Sequence, residues 1–438
     1  MPRRSLVILT SFAIRTEGPN ANDRYFARAG RPVAPARRAR RYAPAAMDLT
    51  PTVGEAKLRD EVRAWLKANL PWEYGKGLPP RFDDLAEEVA FGREWQAKLA
   101  GGRWVGVAWP AEYGGRGGGA VEHYLVTEEL ARARAPELVG RIGVNLVGPT
   151  LLAHGTDAQK ARWLPHILDA SEIWCQLFSE PEAGSDLAAL RTRAERVDGG
   201  WLLNGQKVWT SYAQFARWGI CLARTDPDAP KHAGISYLVV DMEAPGIEVR
   251  PLVQITGESE FNEVFFDEVF VPADHLVGTL HDGWAVANTT LAHERGTSFP
   301  FKEQVVHEVF LDELYALAHA RDMLDDVEIA DALAQSFVEL RVLRLHNWRT
   351  LSRLARGVEP GPESSYVKLT WTDMSQHMAE AALAVVGEAA PLWGEAAENP
   401  DAGRWQRQWL WSKAASIAGG TSEVQRTIIG DRILGLPR

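Results

Sequence analysis

The order of hydrophobic periodicities constrains this chain more than any other feature: helical, then strand-like, then helical again, with no alternation of strand and helix. Leu58, Val62 and Leu66 step by four, and residues 87–99, 120–135 and 157–168 continue at helical spacing. From about Ile173 short runs rich in Val, Ile, Phe and Tyr take over, at 218–224, 235–241, 247–254 and 263–271. Asp198-Gly199 and Asn204-Gly205 predict two tight hairpin turns around Trp201-Leu202-Leu203. Helical periodicity returns after Asp282-Gly283, over 284–295, 305–321, 327–356, 363–386, 404–417 and 422–434. The predicted class is α+β: an N-terminal α-helical domain (47–172), a middle antiparallel β domain (173–277) and a C-terminal α-helical bundle (278–438).

Residues 1–46 read differently. They hold ten Arg, no Lys and two acids, Glu17 and Asp23, a formal charge of +8 in a chain whose 48 basic and 58 acidic residues leave −10. Arg3-Arg4 ahead of the apolar run 5–14 is similar to a signal or transit segment. A Pro- and Arg-rich stretch also fits a disordered leader, and Met47 offers a second translation start. The leader is left out of the predicted fold.

For the remainder, 46% hydrophobic and 24% charged residues are the composition of a globular chain. No run of 18 apolar residues predicts a membrane-crossing helix, and the acidic balance disfavours nucleic acid as a partner. Cys175 and Cys221 are too few for a disulfide framework or a zinc site, so a reducing, cytoplasmic setting and no metal are expected. Gly115-Arg116-Gly117-Gly118-Gly119-Ala120 satisfies a relaxed dinucleotide fingerprint, but Pro110 interrupts the strand that would deliver it and no parallel-sheet pattern follows. A Gly-rich loop is expected there.

The chemistry concentrates in two stretches. Trp174-Cys175-Gln176-Leu177-Phe178-Ser179-Glu180-Pro181 breaks into Glu182-Ala183-Gly184-Ser185-Asp186, which presents hydroxyls and turn amides at a sheet edge. Asn204-Gly205-Gln206-Lys207-Val208-Trp209-Thr210-Ser211 places a flat indole between hydroxyls, a combination suited to an aromatic cofactor. Together with residues 263–272 (EVFFDEVFVP) and Gly419-Gly420-Thr421-Ser422-Glu423, in this order over residues 55–438, the chain resembles the acyl-CoA dehydrogenases.

That resemblance implies an FAD enzyme that desaturates an acyl-CoA thioester between Cα and Cβ, with flavin N5 accepting the hydride. Phe178 and Ser179 would bind the flavin ring through backbone and hydroxyl, and Ser185 its pyrophosphate. Trp209 would pack on the ring, Ser211 would meet N5, and Thr421 and Glu423 would contact the adenosine or pyrophosphate side. Ser422 with Gln425 reads as a capping box opening the last helix. The implied partners are the acyl-CoA substrate, an electron-transfer flavoprotein or similar acceptor, and further subunits.

Removing a weakly acidic α-proton needs a carboxylate against Cα. Many relatives carry that Glu just before the Gly-Thr-Ser turn, where this chain has Gly419. A subgroup similar to isovaleryl- and long-chain acyl-CoA dehydrogenases takes its base from the helix after the β domain, which here reads WAVANTTLAHER over 284–295. The match assigns Glu294 as base and Arg295 to the substrate. On a helical wheel Glu294 falls about 20° from Ala287 and about 60° from Leu291, an apolar face that would raise its pKa. Two elements depart from the family pattern: the Arg-x-x-Phe-Gly that contacts the neighbouring subunit's flavin is missing between 311 and 327, and Val386-Gly387-Glu388-Ala389-Ala390-Pro391 replaces a Gly-rich turn. These departures imply either a hetero-oligomer with a related subunit or, as a rival reading, a non-catalytic subunit.

Overall fold

The computed structural model describes residues 52–75, 80, 82, 84–296, 299–358, 361–394 and 399–437, without the side chains of residues 294–296 and 299. The chain divides into two units, at Asp60 and Glu61. Of the first, residues 52–60 are described. Thr52 and Glu55 exchange a cap there: Thr52 N–H donates to Glu55 Oε2 (2.7 Å) and Glu55 N–H to Thr52 Oγ1 (3.2 Å). This cap opens helix α1 (Val53–Asn69).

In the second unit the N-terminal helices are α2 (Leu85–Gly101), α3 (Ala120–Arg132), α4 (Gly148–His154) and α5 (Asp157–Leu168). Asp84 caps α2 by accepting from Glu87 N–H, and the buried face Val89, Gly92, Trp95, Gln96 and Leu99 follows helical spacing. Buried Gln96 is fully used: its amide donates to the carbonyls of Ile167 and Leu168 and accepts from Gly140 N–H. In the Gly-rich loop before α3, the amides of Gly117 and Gly118 are spent on the carbonyls of Trp109 and Val107, which leaves no phosphate cradle there.

Among the described residues eight strands follow: β1 (Trp174–Leu177), β2 (Arg193–Val197), β3 (Gly200–Ser211), β4 (Trp218–Arg224), β5 (Ile235–Asp241), β6 (Ile247–Leu252), β7 (Phe261–Pro272) and β8 (Leu276–Val277). Their order across the sheet is β6-β7-β3-β2-β4-β5-β8, with β1 also on β4. Pairing is antiparallel throughout except along one edge of β4, which β1 and then β2 join in parallel. Asp198-Gly199 is the expected hairpin turn, with Val197 opposite Gly200.

Asn204-Gly205 is not a turn. Strand β3 continues through it for 12 residues, and the register against β7 shifts between Leu203 and Gly205: β7 bulges there, with Asp267 and Glu268 opposite the single residue Asn204. Asn204 Oδ1 latches the bulge by accepting from Glu268 N–H. Gly205 is required there: φ is +149°, and a Cβ would lie 2.6 Å from Thr192 Oγ1 and 2.8 Å from its Cα.

After the sheet come α6 (Gly283–Gly296), α7 (Phe299–Ala320), α8 (Val327–Leu354), α9 (Ser364–Val386), α10 (Arg404–Ser412) and α11 (Ser422–Ile428). Leu314, Leu340, Leu343, Trp371, Met374, Met378, Val385 and Trp405 share one core. Each such side chain removed from water contributes about 1.5–3 kcal/mol. The last helix starts at Ser422, where its periodicity placed it, but its cap lies one residue earlier than expected. Thr421, not Ser422, is the cap and accepts from Val424 N–H, while Gln425 donates to the carbonyls of Gly419 and Gly420 instead of closing a capping box.

Candidate active site

The two motif stretches meet at one end of the sheet. Val208 N–H donates to Ser179 O (2.9 Å), which ties the segment after β1 to the residue before Trp209. A second register shift in β3, between Lys207 and Thr210, turns Trp209 out of the sheet. Its φ is +60°, unusual for a bulky residue, and its indole is 62% exposed although its neighbours Val208 and Thr210 are buried. Phe261 from β7 meets the indole edge to face, with ring centroids 6.2 Å apart. Ser179 and Ser211 are half-buried, and Ser185 is exposed two residues beyond a turn closed by paired main-chain bonds between Glu180 and Ala183. Asp186, next to Ser185, pairs with Lys231 at 2.5 Å.

Phe178 contributes differently from its neighbours. Its ring is buried and packs edge to face on Tyr237 (5.9 Å), so only its backbone is at the site. Tyr237 Oη in turn lies 3.2 Å from Thr290 Oγ1, and Thr290 Oγ1 lies 2.8 Å from Thr150 Oγ1. All three side chains are buried, and Tyr237's phenol is pushed up by that burial. This hydroxyl chain joins the sheet to α6, and Glu294 lies one turn beyond Thr290 on the same helix. The side chains of Glu294 and Arg295 themselves lie outside the described residues.

Thr421 and Glu423 belong to another neighbourhood, on α11, which packs against α9. Hydrogen bonding, from its own backbone and from Thr421, holds the exposed Glu423 carboxyl below its ordinary value. Gly419, where many relatives carry a Glu, has φ +65°, in the left-handed region that favours glycine.

Sequence reasoning missed Glu180, Lys207, Thr150, Tyr237 and Thr290. One signal for Lys207 was present: in strand alternation it is in phase with the inward-facing Trp201 and Leu203, which marks it as a buried cation. The residues present suit a flavin ring: an exposed, bulge-mounted indole flanked by two hydroxyls on adjoining segments offers a flat apolar face beside hydrogen-bonding groups. Among the described residues no cluster of His, Cys, Asp and Glu could hold a metal ion, and no helix is long and apolar enough to cross a membrane.

A helical domain, a β-sheet domain and a helical bundle, with this site at the sheet's end, define a flavoprotein oxidoreductase. Residues 54–171, 175–269 and 281–434 match the N-terminal, middle and C-terminal domains of acyl-CoA dehydrogenase, and the chain belongs to the acyl-CoA dehydrogenase family. It is 42% identical over 386 residues to the acyl-CoA dehydrogenase IpdE1 of Mycobacterium tuberculosis, covering 87% of this chain and 98% of that one. Among solved structures it is similar to the ChsE4-ChsE5 complex from Mycobacterium tuberculosis (TM-score 0.76, 32% identity, 90% of this chain and 100% of that one). It is also similar to the Tcur3481-Tcur3483 steroid acyl-CoA dehydrogenase (TM-score 0.78, 29% identity, 90% and 100%).

Proposed function

We propose that the chain desaturates an acyl-CoA thioester between Cα and Cβ with FAD as its cofactor, and that Glu294 is the base. The observation that carries this reading is the hydroxyl chain from Tyr237 to Thr290, which brings the helix turn preceding Glu294 next to the strand end at Phe178. Gly419 has no side chain to act as base, which favours a carboxylate from α6. Bound FAD would supply the acceptor for the β-hydride. Around it, the Ser179 and Ser211 hydroxyls and the Trp209 indole would hold the ring, and Ser185 the pyrophosphate. Thr421 and Glu423 would reach the adenosine side, from this chain or a neighbouring one. Glu294 would take the α-proton from the thioester, and Arg295 would contact the substrate.

The domain limits proposed are 47–172, 173–277 and 278–438, with 1–46 as a leader. Further subunits are part of the proposal. Val338, Val342 and Leu345 form an exposed apolar stripe at helical spacing on α8, a surface suited to burial against another chain. A hetero-oligomer with a related subunit is favoured by the two departures from the family pattern and by the paired chains named in the ChsE4-ChsE5 complex. Electrons would pass to an electron-transfer flavoprotein or a similar acceptor, in the cytoplasm.

Anaerobic addition of a panel of acyl-CoAs to protein reconstituted with FAD tests the reaction class. Bleaching of the oxidised flavin band by at least one of them is expected. A protein that takes up no FAD, alone or with a co-expressed neighbour, would contradict the reading.

A further inference from the structure

Strand β1 leaves the edge of β4 after Leu177 pairs with Cys221, and β2 joins that edge where Arg193 pairs with Arg224. A seam between two strands that share one edge leaves main-chain groups with no ladder partner. Lys207 reaches the seam from β3. Its side chain is fully buried (0% exposed), and Nζ donates to Phe178 O (3.1 Å), Leu222 O (2.8 Å) and Glu180 Oε1 (2.8 Å). The three ammonium protons are thereby used. The Glu180 carboxylate in turn accepts from the N–H groups of Arg191 (2.6 Å) and Thr192 (2.9 Å). Burial alone would raise this carboxyl, but the Lys207 charge and the hydrogen bonds it accepts hold it below the ordinary value. A single ion pair thus satisfies main-chain groups from β1's end, β2's start and β4.

The geometry gives this pair a direction. Among the described residues no peptide bond is cis, so Phe178 C=O and Ser179 N–H belong to one trans peptide and point opposite ways. With Phe178 O drawn to Lys207, Ser179 N–H faces away from the seam, while Ser179 O is taken by Val208 N–H beside Trp209. We propose that Lys207 and Glu180 are positioning residues for the flavin: they orient the Phe178–Ser179 peptide so that Ser179 N–H is presented to the ring on the side where Trp209 stands. This inference rests on the flavin reading above and extends it to two residues that do not touch the ring.

The test titrates the full chain with FAD and follows fluorescence quenching and the visible spectrum of the bound flavin, for the parent and for Lys207→Met, Lys207→Arg and Glu180→Gln. Circular dichroism reports folding in each case. The dissociation constant for FAD is expected to rise at least tenfold in Lys207→Met and Glu180→Gln. The flavin still bound should show a displaced absorption maximum, because a hydrogen bond to the ring has moved, and Lys207→Arg should recover part of the affinity. If Lys207→Met does not fold, the near-isosteric Glu180→Gln decides alone. Folded variants that bind FAD as the parent does, with an unshifted spectrum, would overturn the inference and leave the flavin reading intact. A parent protein that takes up no FAD would overturn both.

Discussion

The hydroxyls of Thr150 and Thr290 lie 2.8 Å apart, buried between α4 and α6, and the phenol of Tyr237 reaches the same Thr290 oxygen from the sheet. Three elements thus meet on one side-chain atom. Thr150 also donates to Leu146 O (2.7 Å) and hydrogen-bonds Tyr237, so the three hydroxyls form one cluster centred on Thr290. In Thr290→Val the Tyr237 hydroxyl keeps Thr150 and loses its Thr290 partner, a cost of about 0.5–1.5 kcal/mol. Chemical denaturation should show that loss, and the additional change Tyr237→Phe should recover part of it.

Trp209 predicts a different split between stability and binding. Its indole is 62% exposed, so Trp209→Ala should change unfolding free energy by no more than about 0.5 kcal/mol. Affinity for FAD should fall about three- to tenfold, the range expected for one aromatic contact. Trp209→Phe should lie between the two. Equal losses in stability and in binding would place the indole in the core instead.

Burial holds three histidines, His123, His275 and His346, below their ordinary value, which gives the stability a pH dependence of known sign. Burial holds His123 at about 4 and pushes His275 below its ordinary value, with a hydrogen bond to Val239 O opposing the shift in His275. Between about 6.5 and these lower values the unfolded chain binds protons that the folded chain does not. The stability these groups contribute is therefore present above pH 6.5 and is lost as pH falls, by up to about 1.4 kcal/mol per pH unit for each group. Urea midpoints measured between pH 7.5 and 4.5 should fall, and His123→Gln with His275→Gln should flatten the curve.

Much of the fold was legible in periodicity because helices and strands bury faces at different spacing, as the Leu340, Leu343 and Asn347 positions of α8 show. Trp209 and Ser211 were legible as a motif. Asn204-Gly205 misled because the dipeptide reports only local turn preference, whereas pairing of β3 with β7 on both sides of it makes the strand run on. The cap at Thr421 was missed by one residue because Thr and Ser are both good caps and only the backbone distinguishes them. The Thr150–Thr290–Tyr237 chain joins residues 140 and 53 positions apart, and no local pattern reports such a meeting. Strand phase alone pointed Lys207 inward, against the ordinary surface preference of lysine, and the carbonyls that satisfy it are exposed only by the strand switch, which no local pattern reports.

The central claim is that Glu294 removes the α-proton, and the most direct measurement is anaerobic rapid mixing of acyl-CoA with the FAD-loaded parent and with Glu294→Gln. The account predicts that Glu294→Gln binds FAD as the parent does, while reduction of its flavin by substrate slows at least a hundredfold, the lower range for a lost general base. Flavin reduction at the parent rate in a variant that retains FAD would contradict it.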